Sequence, residues 1–115
     1  MIDYDGRRFQ PVGEDAAQGR VAVYRQHGDL LWGEFRGGRA RHGALAGRCA
    51  PDGTLDFAYC LVTENGEVIS GHCASTPHLL DDGRIRLHEV WQRYGPHAAS
   101  GTSCIEEVPH KEERP

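Results

Sequence analysis

"LDFAYCLVTENGEVISGHCAS", residues 55–75, is the stretch whose reading decides the fold. Two runs of alternating apolar and polar residues flank Asn65-Gly66. An Asn-Gly pair supplies the positive φ that a tight hairpin turn requires. With a two-residue turn at that pair, Tyr59 lies opposite His72 and Leu61 opposite Ser70. One face of the hairpin then carries Leu55, Phe57, Tyr59, Leu61, Val68, Ser70 and His72, and with two aromatic rings it is the expected interior. The other face carries Asp56, Ala58, Cys60, Ile69, Gly71 and Cys73. Cys60 and Cys73 become diagonal neighbours on it, where a disulfide would be strained. Ala58, Cys60 and Ile69 make this outer face small and apolar for solvent, which suits cover by a second copy of the chain.

The same punctuation recurs along the whole sequence. "YDGR" (4–7), "QHGD" (26–29), "RGGR" (36–39), "PDGT" (51–54) and "DDGR" (81–84) each carry a turn signature. Between them lie short alternating segments at 8–12, 20–27, 30–36, 39–49, 54–62, 67–75, 84–94 and 102–108, with 2–4 as a weak lead-in. Closely spaced turn signals with strands between them indicate an all-β sandwich or barrel. Short connections pair each strand with its neighbour, giving an up-and-down antiparallel meander of eight or nine strands. Curling into a closed or nearly closed small barrel, lipocalin- or avidin-like in architecture alone, removes the two open edges. A two-sheet sandwich is the alternative. No segment reads as a sustained helix. Residues 13–20 read as one helical turn or a loop, 76–83 as a loop with a short apolar plug, and 109–115 as a frayed tail. Residues 1–108 are expected to form a single domain.

The composition narrows the function. The 115 residues include 13 basic and 17 acidic groups, a net charge of −4. A nucleic-acid surface needs a basic stripe to displace counterions, so no nucleic-acid partner is expected. No apolar run approaches a membrane span. The N-terminus lacks the basic start and apolar stretch of a signal peptide, which leads to the expectation of a cytoplasmic protein. The four cysteines then read as reduced thiols. No CxxC, HxH or HExxH spacing occurs, and no Walker or GxGxxG motif, so neither metal nor cofactor is expected.

"RLHEVWQRY" (86–94) carries the candidate chemistry. Its odd positions, Leu87, Glu89 and Trp91, belong to the apolar side of a strand, so Glu89 points inward with Trp91. "LLWGEF" (30–35) has a related grouping of Trp32 and Glu34 on one face, although Leu31 and Phe35 make the opposite face an equal candidate for the core. A carboxylate beside an indole loses hydration and its pKa rises unless a cation compensates, as a general acid or base near neutrality requires. Arg25, Arg41 or Arg93 could pair with it instead, which would make it a structural ion. Arg86 points to the opposite face.

The runs "GALAGRCAPDGTLDFAY" (43–59), "GEVISGHCAS" (66–75), "GRIRLHEVWQ" (83–92) and "GTSCIEE" (101–107) together resemble a family of small bacterial proteins of about this length. Its members often carry the name N-acetylglutamate synthase. The resemblance directs attention to Cys73, Ser75, Arg86, Glu89 and Trp91. An acetyl-CoA-dependent transferase is built on a larger α/β core with a pyrophosphate loop leading into a helix, and this chain has neither, so the activity in that name is not carried over. The expectation is a barrel holding a small organic ligand. Trp32, Tyr59 and Trp91 supply apolar contact, Glu89 and His72 supply polar anchoring or acid/base chemistry of an isomerase or cyclase type, and Glu34 and Arg86 complete the candidate set. The competing expectation is a homodimeric interaction module with a filled, dry barrel.

Overall fold

A computed structural model describes residues 2–13 and 19–109. It contains β1 (Arg8–Pro11), β2 (Val21–His27), β3 (Leu30–Gly37), β4 (Ala40–Cys49), β5 (Leu55–Thr63), β6 (Val68–Leu79), β7 (Ile85–Arg93) and β8 (Ala99–Glu107), with a short 3-10 turn at Gly95–His97. Each strand pairs antiparallel with the next, and β1 closes onto β8 in the register Phe9↔Glu107 and Pro11↔Ile105. The sheet is thus a closed eight-stranded barrel, not a sandwich. Residues 2–4 add no ninth strand. Most of the 13–20 stretch and the tail beyond residue 109 lie outside the described residues.

The hairpin at Asn65-Gly66 forms, but with a different register. Tyr59 pairs with Gly71 and Leu61 with Ile69. The Thr63 N–H donates to the Glu67 carbonyl, and the Gly66 N–H donates to the Thr63 carbonyl. The connection is therefore a three-residue loop whose last member, Gly66, takes a φ of 86°, the arrangement of a turn followed by a glycine bulge. A one-residue slip turns a whole strand over. Ile69, Gly71, Cys73 and Ser75 consequently face inward, while Val68, Ser70 and His72 face out. The small apolar outer face loses Ile69, its largest member. Cys60 and Cys73 stand on opposite faces, and all four cysteines are free thiols.

β6 also continues through 76–79, where a loop was expected, and Pro77 pairs with Leu87. The Leu80 N–H donates to Arg84, so even positions of β6 bond to β7 and Pro77 looks the other way. On that side β5 has already ended at Leu55, opposite Ser75. The missing proline N–H costs no ladder bond there.

One end of the barrel is packed shut. Tyr4, Phe9, Tyr24, Leu31, Leu55, Ile85 and Leu87 are buried together, and the Tyr4 hydroxyl donates to the Gly53 carbonyl at 2.6 Å. Arg7 donates to both oxygens of the buried Glu107 at 2.9 and 2.8 Å, and the Ile85 N–H reaches the same carboxylate at 3.2 Å. These bonds fasten the segment before β1 to the last strand. Among the described residues no helix is long and apolar enough to cross a membrane.

Truncating one partner of a buried ion pair strands the other groups without an acceptor. Glu107→Ala is expected to lower the unfolding free energy by about 2–4 kcal/mol, whereas Arg86→Ala, at the half-exposed outer pair with Glu106, costs under about 1 kcal/mol. Urea denaturation of both variants checks the contrast.

Candidate functional site: a cavity at the open end of the barrel

Above the packed end the interior is open, leaving a cavity of about 540 Å³. Tyr24, Leu45 and Phe57 border its inner part, and Phe35, Tyr59, Leu61 and Trp91 its walls. Arg39, Thr63, Glu67 and His97 place its mouth at the end formed by the β3–β4, β5–β6 and β7–β8 connections. Two glycines make room for the rings. A Cβ at Gly71 would come within 2.7 Å of the Tyr59 ring, and one at Gly101 within 2.8 Å of the Trp91 indole.

Glu89 sits in the middle of β7 with serines as its cross-strand neighbours, Ser75 on β6 and Ser103 on β8. The Ser103 hydroxyl donates to Glu89 Oε1 at 3.0 Å. The Cys73 thiol donates to Oε2 at 3.6 Å and lies 3.6 Å from the Ser75 hydroxyl. No arginine among the described residues pairs with this carboxylate. Arg25 is bound to Asp5, Arg93 lies over the Trp91 ring, and Arg20 acts on Glu89 through space. Burial therefore wins and pushes the Glu89 pKa up, against the opposing effects of Ser103, Cys73, Arg20 and Ser75. The same burial, with the Glu89 charge beside it, pushes the Cys73 thiol up to about 12. Cys73 is thus a weak hydrogen-bond donor at neutral pH and not a nucleophile. Tyr59 is raised by burial, only partly offset by the neighbouring Arg93.

The family model described as Avidin-like protein matches residues 2–108. The chain belongs to the avidin-like family. No curated protein and no solved structure matches it. The family match brings with it an avidin-like small-molecule-binding fold and does not bear on the N-acetylglutamate synthase name.

In this avidin-like barrel the expected site residues divide. Glu89, Trp91 and Tyr59 meet around one cavity. His72 does not join them, because the register slip turns it outward, where its Nε2 pairs with Asp56 Oδ1. Trp32 and Glu34 also face out. Leu31 and Phe35 are the inward residues of β3, and Trp32 keeps 39% of its surface exposed. Arg86 is held on the outer side by Glu106, its Nε donating at 2.6 Å. Residues that the sequence reading did not place in the site are Ser103, Tyr24 and Arg20. Ser103 and Arg20 have the inward parity of β8 and β2, and that alternation was the available signal.

The folded protein holds the Glu89 proton more tightly than the unfolded chain does. Stability linked to this group is therefore fully present below the unfolded carboxylate pKa near about 4.3 and is lost as pH rises through the higher folded value. Glu89→Gln has no proton to lose. Urea denaturation from about pH 4 to about pH 8 is expected to show the variant gaining stability relative to the parent as pH rises. A variant that loses stability relative to the parent over that range would mean the fold favours the Glu89 anion.

Proposed function

We propose that this barrel binds a small organic molecule in its cavity, with Glu89 as the polar anchor and Tyr59 and Trp91 as apolar contacts. The observation that carries the reading is an enclosure of about 540 Å³ uniting aromatic rings with one desolvated carboxyl group that forms no ion pair among the described residues. Ligand pockets run from about 300 to 1,000 Å³ and combine an apolar lining with a few convergent polar groups. A filled, dry interior has no such space, so the geometry favours ligand binding over the interaction-module alternative. Free thiols on all four cysteines suit a cytoplasmic setting.

The raised Glu89 pKa favours a second reading on the same residues. A carboxyl group whose pKa is raised by burial is equipped for proton transfer to or from a bound ligand, with Tyr59 as partner in place of the outward-facing His72. Binding precedes chemistry in both readings, so binding is the property to test.

The two tryptophans provide an internal control, one in the cavity and one outside. Protein purified from its own host is expected to release a small molecule in native mass spectrometry. Adding that molecule back should shift the indole N–H resonance of Trp91 and leave that of Trp32 in place. Ala22→Trp, which fills the cavity from β2, should abolish the shift. Protein that retains nothing, and whose Trp91 signal no compound of a fragment library moves, would end the ligand reading.

A further inference from the structure

The rings and Glu89 account for the inner part of the cavity, but its rim carries chemistry that they do not use. Arg20 precedes β2, Arg39 lies between β3 and β4, and Arg93 ends β7, and all three border the cavity. The Nε–H of Arg20 and that of Arg93 are shielded from solvent and meet no acceptor among the described residues. Elsewhere on the molecule Arg7, Arg25, Arg84 and Arg86 are each paired with a carboxylate. The acids near the rim do not take that role. Glu67 stands 4.0 Å from His97, and Glu89 forms no ion pair with either arginine. Arg93 is also held in place, its guanidinium 5.4 Å from the centre of the Trp91 ring and beside the Tyr59 hydroxyl. A chain of net charge −4 thus gathers around one opening arginines that meet no carboxylate among the described residues.

A buried guanidinium N–H without an acceptor is costly, and an oxyanion satisfies it best, because the planar fork of donors matches carboxylate and phosphate oxygens. We propose that Arg20 and Arg93 bind the oxyanion of a small organic acid whose body lies in the cavity. The inference rests on the ligand-binding reading above and gives that ligand its chemical class. The apolar middle of the cavity, with Phe35, Leu45 and Leu61, receives the body of the acid, while the arginines hold its charged end toward the mouth. These arginines also draw anions to the opening, an attraction that salt screens.

Three probes with one alkyl body separate charge from shape: octanoate, octyl phosphate and octanol, titrated calorimetrically with the Trp91 resonance as the site marker. At least one of the two anions is expected to bind roughly tenfold tighter than octanol. Preference for octanoate identifies a carboxylate ligand, and preference for octyl phosphate a phosphate ester. Arg20→Met and Arg93→Met keep the apolar stems and remove the donors. Each should cut anion affinity roughly tenfold and leave octanol within about twofold. Arg20→Lys and Arg93→Lys, which keep the charge and so the solubility of the rim, should restore part of the anion preference. Equal binding of all three probes, or anion binding indifferent to the Met and Lys substitutions, overturns the anion assignment and leaves the cavity as a site for neutral ligands. Failure of all three to move Trp91 counts against the cavity reading itself and takes the inference with it.

Discussion

The contact between the first strand and the last is the constraint on which the rest of this structure depends. β1 has only four residues and meets β8 in three register pairs. Without that seam the sheet has two open edges, and the inward side chains of every strand lose their enclosure. Arg7 and Glu107 reinforce the seam where it is shortest, and Tyr4 caps the same end. Their placement explains why Tyr4 and Phe9, on a short segment with little strand character, are almost wholly buried. Closing one end also decides where the open space must be, since eight strands enclose more volume than this end's side chains fill.

Within the enclosure the middle of β7 differs from the packed end in kind. Ile85 and Leu87 are wholly buried in the core, and two positions further on the same inward row presents Glu89. The neighbours of that carboxylate are serines and a thiol that remains protonated, so it receives hydrogen bonds without receiving charge. A salt bridge would have made Glu89 a structural ion with a low pKa. Hydrogen bonding alone leaves the cost of desolvation in place, and the group stays able to exchange a proton or to meet a donor brought by a ligand.

Much of the architecture was legible because turn glycines and strand alternation are local signals. Each of the eight alternating segments from 8–12 to 102–108 became a strand, and the glutamate of "RLHEVWQRY" points inward as its alternation implies. The register at Asn65-Gly66 was not legible, because the same dipeptide serves a two-residue turn and a three-residue turn with a bulge. That single ambiguity moved His72 out of the site and brought Cys73 and Ser75 in. β3 failed for another reason. Trp32 and Phe35 offer aromatic rings to both faces, and only the fit of Leu31 against the sealed end settles which face is inside. At 76–79 a loop was expected, but the missing donor of Pro77 falls on a side with no neighbouring strand, so β6 runs on to Leu79.

The rim arginines were illegible for a reason that bears on function. Arginine at the end of a strand ordinarily marks a solvated surface, and although alternation gives Arg20 and Arg93 an inward parity that Arg25 and Arg86 lack, it does not say which arginine meets a carboxylate. The difference appears only in three dimensions, where Arg25 and Arg86 have carboxylates beside them and the two at the mouth have none among the described residues. A barrel selected for stability alone would pair such groups or replace them with apolar side chains, since unmatched buried donors and desolvated acids both weaken the fold. Keeping inside a desolvated acid, and at the entrance of the same cavity two arginine Nε–H donors that meet no acceptor among the described residues, breaks that rule twice in the same place. Local rules are broken chiefly where a site has work to do, and here both breaches are resolved by one occupant that brings its own hydrogen-bonding groups.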